Sequence, residues 1–597
     1  MADHAPLLTS ENYATLLTSR ISGRLDDISK NFDPAYTSGT NIPTNTIRWN
    51  SALNRDEKWN GTSWVEKSVN YAINISGAAA TCTGNAGTVT NGVYTTGTYV
   101  NPSWVTTLDG AKITGTLPSS VVTYLANGVG AVPRSVQNKL REHVSVEDMG
   151  AIGDGITDNS AAFALAFSAL KPNGVLEFGG GTYLSSGFNV SGKAAVLYGY
   201  GSTIHSTGAN GGVYKTDHGN KLIVEGLGFT GIGAGINQTA TVQNSSQDEL
   251  DIISCNFNMN TGVYGVVLNG GRNPRIQNSF FRNTSSGNGV YLKNTVSPFI
   301  QNCIFKGAGY VGRAVYYPGT GNGTDAGLIL RDCEVLGWDK GLEVVGCDWM
   351  VVDGCTIDYN NWSIKLGNQD RATIVNNYIG SLADNPALWI GYDASGVMPS
   401  RSEKIIVNGN IFTGHAVVGN NYDCILVDGV NSPDNVIISD NNITFYTRYG
   451  VNFSLVSTRL NISTNSFAER TGFGLSPIYN TLGATDSGVV INNNYFANAA
   501  TVADMNLTTQ CRINENLGCV TEARGEGVSG TGVSTFTITH GLSYTPTKTD
   551  IQLTPTNNEA ATKNPFISAV DATNITVGFT SATAAAAGVG WRVRRGR

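Results

Sequence analysis

One hexapeptide pattern returns ten times between residues 252 and 496, and it leaves the chain few ways to fold. It runs aliphatic, variable, a polar or small pair, variable, then Phe or aliphatic. The copies read IISCNF (252–257), IQNSFF (276–281), IQNCIF (300–305), LRDCEV (330–335), VDGCTI (352–357), IVNNYI (374–379), VNGNIF (407–412), ISDNNI (438–443), ISTNSF (462–467) and INNNYF (491–496). Their last residues are spaced by 24, 24, 30, 22, 22, 33, 31, 24 and 29, and an earlier copy ends at Phe229. Spacings that grow by insertion above a floor of about 22 predict a coil of three short strands per turn. A helical solenoid would need helix-length amphipathic runs, and none is present. No coil buries its apolar edge alone, so coils must stack with like residues in register. Asn at the turns suits left-handed backbone, and its amide can bond the Asn of the next coil.

A second strand per coil is legible as GVVL (265–268), GVYL (289–292), AVYY (314–317), GLEV (341–344), SIKL (363–366), ALWI (387–390) and GVNF (450–453). Alternation turns Val266, Val290, Val315, Leu342, Ile364 and Leu388 inward. It leaves Val267, Tyr291, Tyr316, Glu343, Lys365, Trp389 and, after a longer insertion, Asn452 as an outward column.

Composition agrees with many short strands joined by turns: 72 glycines in 597 residues and only 14% charged residues. Hydrophobic residues make up 41% and are regularly placed, which argues against disorder. The balance of 38 basic to 45 acidic residues gives no footprint for nucleic acid. No apolar run is long enough to cross a membrane, so no membrane insertion is expected. The opening MADHAPLLTSENYATLL is polar and acidic, unlike a secretory leader. Nine cysteines without a CxxC pair are expected to be small buried thiols. His143, His205, His218 and His540 show no metal-ligand spacing, and no metal or cofactor is expected.

The flanks differ from the repeat. VSVEDMGAIGDGITDNSAAFALAFSAL (144–170) with GGGTYLSSG (179–187) resembles the capping segment of the pectate-lyase-like superfamily, where a strand, a GAxGDGxTD turn and one helix close the open end of a right-handed parallel β-helix. The residues agree: Asp158 precedes Ser160 and an apolar run, Phe163, Leu165, Phe167 and Leu170, at helical spacing. KWNGTSW (58–64) and SWVTTLDGAKITGTLP (103–118) resemble the N-terminal virion-attachment regions of phage tail fibres and tailspikes. TFTITHGLSYTPTKTDIQLTP, NITVGFT and GWRVRR read as antiparallel strands of a small β-sandwich and resemble C-terminal domains of phage tail proteins.

The expected organisation is all-β. Residues 1–130 form an N-terminal attachment region, 131–520 a right-handed parallel β-helix with its cap at 144–187 and a short helix, and 521–597 a C-terminal β-sandwich for trimerisation or carbohydrate binding. The resemblance to bacteriophage tailspike and tail-fibre depolymerases implies a virion protein acting at the host cell surface. It further implies a homotrimer, a phage tail or baseplate partner at the N-terminal region, and a bacterial surface polysaccharide as substrate.

Cleavage by hydrolysis needs two carboxylates about 5–9.5 Å apart, and sugar rings stack on aromatic faces. Acids and aromatics concentrate in 334–389. Glu334 and Asp358 sit one coil and two residues apart, roughly 8 Å, which suits an inverting hydrolase; Glu343 lies between Tyr316 and Lys365. The candidate catalytic residues are therefore Glu334, Glu343 and Asp358. The candidate glycan-binding residues are Tyr291, Tyr316, Trp338, Trp362, Lys365, Tyr378 and Trp389. Few Lys or Arg surround the paired acids, which favours hydrolysis over a lyase, though Lys306 and Lys365 keep a lyase open. The competing readings are a non-catalytic receptor adhesin of the same fold and a cellular pectin-degrading enzyme, the latter disfavoured by the tail-fibre-like ends. Gly414-His415 is the one echo of the polygalacturonase motifs, and that family is disfavoured.

Overall fold

The computed structural model describes Leu25, residues 42–67, and residues 116–594 apart from 218, 240–249, 261, 320–324, 383, 392–401, 415–422, 429–432, 455–458, 470–474, 482–487, 498–505, 507–510, 520–521 and 543. The chain divides into two compact units, Met1–Thr114 and Gly115–Arg597.

In the first unit, Ile47–Asn50, Arg55–Trp59 and Trp64–Glu66 form a three-stranded antiparallel sheet. The turn of the KWNGTSW segment brings Trp59 edge-on to Trp64 at 5.4 Å. Most of the 103–118 segment lies outside the described residues, as does His415.

The second unit is dominated by a right-handed parallel β-helix. Each coil contributes one strand to each of three parallel sheets. Sheet A holds twelve strands from Phe188–Asn189 to Ser476–Asn480, sheet B fifteen from His143–Ser145 to Arg512–Asn514, and sheet C fourteen from Asp154–Asp158 to Tyr495–Phe496. One coil shows the plan: Leu328–Arg331 in B, Glu334–Leu336 in C, Lys340–Val345 in A, then Trp349–Asp353 in B again.

The hexapeptide is a corner between sheets B and C rather than a single strand. Its first residue, the last but one of a B strand, points inward, and its last points inward from a C strand, as Leu330 and Val335 do. The turn and ladder roles expected of one Asn are divided between neighbours. The third residue holds left-handed backbone, at Asn278, Asn302, Asp332, Asn376, Asp440 and Asn493. The fourth points inward and forms the ladder. Cys255, Ser279, Cys303, Cys333 and Cys355 occupy it first, and Asn377, Asn410, Asn441, Asn465 and Asn494 follow.

Each ladder asparagine accepts the backbone N–H of the one before it, as when Asn410 N donates to Asn441 Oδ1 at 2.9 Å, while its own Nδ2 donates to a main-chain carbonyl of the preceding coil. Every buried polar atom so engaged avoids a desolvation cost of about 1–3 kcal/mol. The eight described cysteines are all buried and unbridged. Beside them Phe229, Phe257, Phe281 and Phe305 stack at 5.0, 4.6 and 4.6 Å.

The helix Ser160–Ala169 caps the open end, with Phe163 against Phe178, Tyr183 and Phe188. Phe167 and Leu170 are buried as the spacing predicts, but Leu165 faces solvent. Asp158 Oδ1 accepts from Ser160 N at 3.0 Å, and Asp154 Oδ1 accepts from Ile156 N and Thr157 N, so both aspartates build turns. Beyond the helix, two antiparallel three-stranded sheets share a second core of Ile538, Ile551, Ile575, Val577, Val589 and Val593.

Candidate functional site

The structure sorts the candidate residues onto two faces and removes one of them. Trp338 is wholly buried in the core, so it cannot be a sugar platform. Simple alternation would turn it outward after Val335 and Leu336. Gly337, at φ +79°, bends the chain at the corner and sends the next side chain inside.

Sheet C carries the acid pair. One outward column runs Thr203, Gly228, Asn256, Phe280, Ile304, Glu334, Thr356, Tyr378, Ile411. The next runs Thr230, Asn258, Arg282, Lys306, Leu336, Asp358. Glu334 thus pairs in register with Thr356, two residues from Asp358, and the diagonal across adjacent strands is roughly 8 Å.

Glu334 is partly open, with Lys306 Nζ at 3.8 Å. That pair is half-exposed and worth little energetically. Asp358 is only 4% exposed, and its Oδ1 accepts the Tyr359 N–H at 2.8 Å. The carboxylate occupies space left by Gly380, where a Cβ would stand 2.2 Å from Oδ1. Tyr359 and Tyr378 present exposed rings nearby. The nearby Asp358 carboxyl contributes to raising the Tyr378 hydroxyl, after the larger effect of burial. Two to five strands from Glu334 on the same sheet, an open hollow of about 220 Å³ is lined by Thr203, Gly228, Thr230, Asn256, Asn258 and Arg282.

Sheet A carries the aromatic column, in unbroken register: Asn237, Val267, Tyr291, Tyr316, Glu343, Lys365, Trp389, Leu426, Asn452, Tyr479. Glu343 and Lys365 point outward yet are 1% and 4% exposed. Their cover comes from a second row, Arg313, Lys340 and Trp362, three residues earlier in each strand. Small residues between the rows (Ala314, Gly341, Ser363) let both lie on the outside.

Arg313 Nε lies 2.5 Å from Glu343 Oε2 and Lys340 Nζ 3.9 Å. The Arg313 guanidinium lies over Tyr316 at 4.4 Å. Burial works against its charge, but the bond to Glu343 raises the guanidinium overall. Trp362 and Trp389 stack at 5.3 Å, with Lys365 Nζ over both rings at 4.2 and 5.2 Å. Burial pulls the Lys365 ammonium down to about 8, against the pull of Glu343. Tyr264, Tyr291 and Tyr316 follow edge to face, their hydroxyls all raised by burial.

Glu343 therefore sits among cations. A second charged cluster that the sequence reading missed lies further along the same face. Asp423, fully buried, binds the Arg448 side chain with Nε at 2.7 Å and accepts from Asn452 Nδ2 at 2.9 Å, beside Tyr449 and Tyr479 stacked at 4.1 Å. Its signal was an Asp and a Tyr two residues before the inward position of adjacent strands, Ile425 and Val451.

The family described as "Rhamnogalacturonase A/epimerase, pectate lyase-like" matches residues 143–383. No curated protein matches the chain. Among solved structures, the A-module of the mannuronan C-5 epimerase AlgE6 of Azotobacter vinelandii is similar at 15% identity and a TM-score of 0.46, covering 59% of this chain and 98% of its own. The tailspike gp61 of Pseudomonas phage phi297 is similar at 12% identity and a TM-score of 0.46, covering 76% and 99%. The tailspike of E. coli bacteriophage HK620, in complex with a pentasaccharide, is similar at 13% identity and a TM-score of 0.44, covering 80% and 98%.

Proposed function

We propose that the chain is a tailspike that binds a bacterial surface polysaccharide along its β-helix and cleaves it by hydrolysis on sheet C. The observation that carries this reading is the diagonal of Glu334 and Asp358 on one outward face, at a spacing that leaves room for a water molecule opposite the leaving oxygen. One carboxyl group would protonate the glycosidic oxygen while the other draws a proton from that water. Inversion at the anomeric carbon follows. Tyr359 and Tyr378 would flank the sugars, and the hollow at Arg282 would hold a ring several strands away. The matched family, named for a rhamnogalacturonase and an epimerase, supports a polysaccharide substrate. The resemblance of both chain ends to phage tail proteins supports a homotrimer joined to a tail or baseplate through residues 1–130.

A second reading rests on Lys365. A Lys365 amine lowered to about 8 by burial, with Arg313 and Lys340 nearby, fits β-elimination of a uronate: the cations neutralise the carboxylate, a base takes the C5 proton, and the C4–O bond breaks as the leaving oxygen is protonated and the C4=C5 double bond forms. One experiment separates the readings. The purified chain is incubated with capsule or O-antigen of a susceptible host, and products are followed by reducing ends and by ultraviolet absorbance of unsaturated uronate. Saturated oligosaccharides lost with Glu334→Gln or Asp358→Asn support hydrolysis on sheet C. Unsaturated products lost with Lys365→Met move the chemistry to sheet A. Intact, bound polymer leaves an adhesin.

A further inference from the structure

The C-terminal sheets carry a feature that the β-helix does not use. In the sheet formed by Glu522–Val528, Ile551–Pro555 and Gly588–Arg594, Arg524 stands directly opposite Arg592, and Gln552 completes the row on the third strand. Like charges directly opposed on a sheet are destabilising. The chain as a whole is acidic, at a net −7, yet four of its last six residues are arginine.

The local acids neutralise the pair only in part. Glu522 is bound to Arg594 Nε at 2.9 Å and reaches Arg592 at 3.9 Å, and Glu526 takes the Thr556 hydroxyl. No ion pair involves Arg524 among the described residues. The two guanidinium groups border an open hollow of about 530 Å³, with Gln552 and Thr554 on its rim and Gly590 leaving its floor without a side chain. The floor is firm, because Trp591 is packed in the core with its indole against Gly525, where a Cβ would lie 3.1 Å from Nε1.

We infer that this hollow binds the carboxylate of an acidic sugar, giving the chain a second glycan site apart from the β-helix. Two opposed guanidinium forks match a carboxylate in bidentate geometry, and the hydroxyls of the same ring have Gln552 and Thr554 within the lining. The sugar class rests on the polysaccharide reading above; the anion preference rests on the arginines alone.

The test uses the full chain, with phenylglyoxal modification of Arg524 and Arg592 followed by peptide mass spectrometry. The probes are tetragalacturonate, maltotetraose and inorganic phosphate. Tetragalacturonate at four times its dissociation constant should slow modification of both arginines roughly five-fold, with maltotetraose and phosphate leaving them reactive. Unchanged rates with tetragalacturonate would overturn the site. Equal protection by phosphate would reduce it to a simple anion site and overturn the sugar. Arginines already unreactive in the free chain would mean that a second copy covers them, and would overturn it too. Protection that persists when no polymer is cleaved would sink the depolymerase reading and leave this hollow standing.

Discussion

Replacing Asn441 by Ala tests the ladder that holds the coils in register. Asn441 is 2% exposed, and its side chain makes four hydrogen bonds. Oδ1 accepts from Asn410 N at 2.9 Å and Asn410 Nδ2 at 3.0 Å, and Nδ2 donates to Val407 O and Asn465 Oδ1, both at 2.9 Å. Two of these losses are cushioned. Asn410 Nδ2 keeps Ile374 O and Asn408 O, and Asn465 Oδ1 keeps the Asn441 N–H. The backbone N–H of Asn410 and the carbonyl of Val407 lose their partners inside the core. At about 1–2 kcal/mol each, the cost is about 2–4 kcal/mol. Expressed wholly in the unfolding rate, that is about 30- to 900-fold.

The assay is the unfolding rate in guanidinium followed by circular dichroism, with Asn442→Ala as the comparison. Asn442 is the next residue, the first of the strand that follows, and exposed, and should cost within about 0.5 kcal/mol. If the two variants unfold at the same rate, the ladder does not hold the coils and the argument fails.

Three other outcomes follow from the site. Gly380→Ala should cut polysaccharide cleavage as severely as Asp358→Asn does, because the new methyl displaces the Asp358 carboxylate; wild-type turnover in that variant would show that Asp358 is not positioned for catalysis. Lys365 should make stability rise between about pH 8 and pH 10.5. There the unfolded chain still holds the proton that the folded chain has released, a gain of up to about 3 kcal/mol. Denaturation midpoints at pH 7.5 and 10 should therefore diverge less in Lys365→Met than in wild type. Glu343→Gln removes the negative charge that pairs with the partly exposed Arg313 and should cost about 1–3 kcal/mol, read as a lower midpoint in the same titration; a neutral result would show the Arg313 ion pair to be dispensable.

The β-helix was legible because two periods coincide in this sequence: alternation within a strand, and recurrence once per coil. Any residue inside a strand could be placed by counting, which is why Tyr291, Tyr316, Glu343, Lys365 and Trp389 fall in one column as expected. Counting fails at corners. Gly337 and Tyr359, with φ +79° and +53°, shift the alternation, so Trp338 turned inside and Asn360 became a buried donor. It also fails across insertions, and Leu426 was passed over because its coil follows one. Burial of outward charges was invisible as well. Nothing in the spacing says that a small residue at 314 or 341 lets Arg313 and Lys340 fold over Glu343.

The buried column that changes from thiols to amides has a bearing on how this protein can be re-engineered. From Asn377 onward every rung offers the same donor and acceptor in the same direction. Excising one whole coil there brings two identical rungs face to face, and the chain closes over the gap as a zipper does over a missing tooth. At Cys355, whose N–H donates to Asn377 Oδ1, the sulfur of the neighbouring rung cannot replace the amide in kind. Shortened or lengthened variants are therefore best cut below that seam.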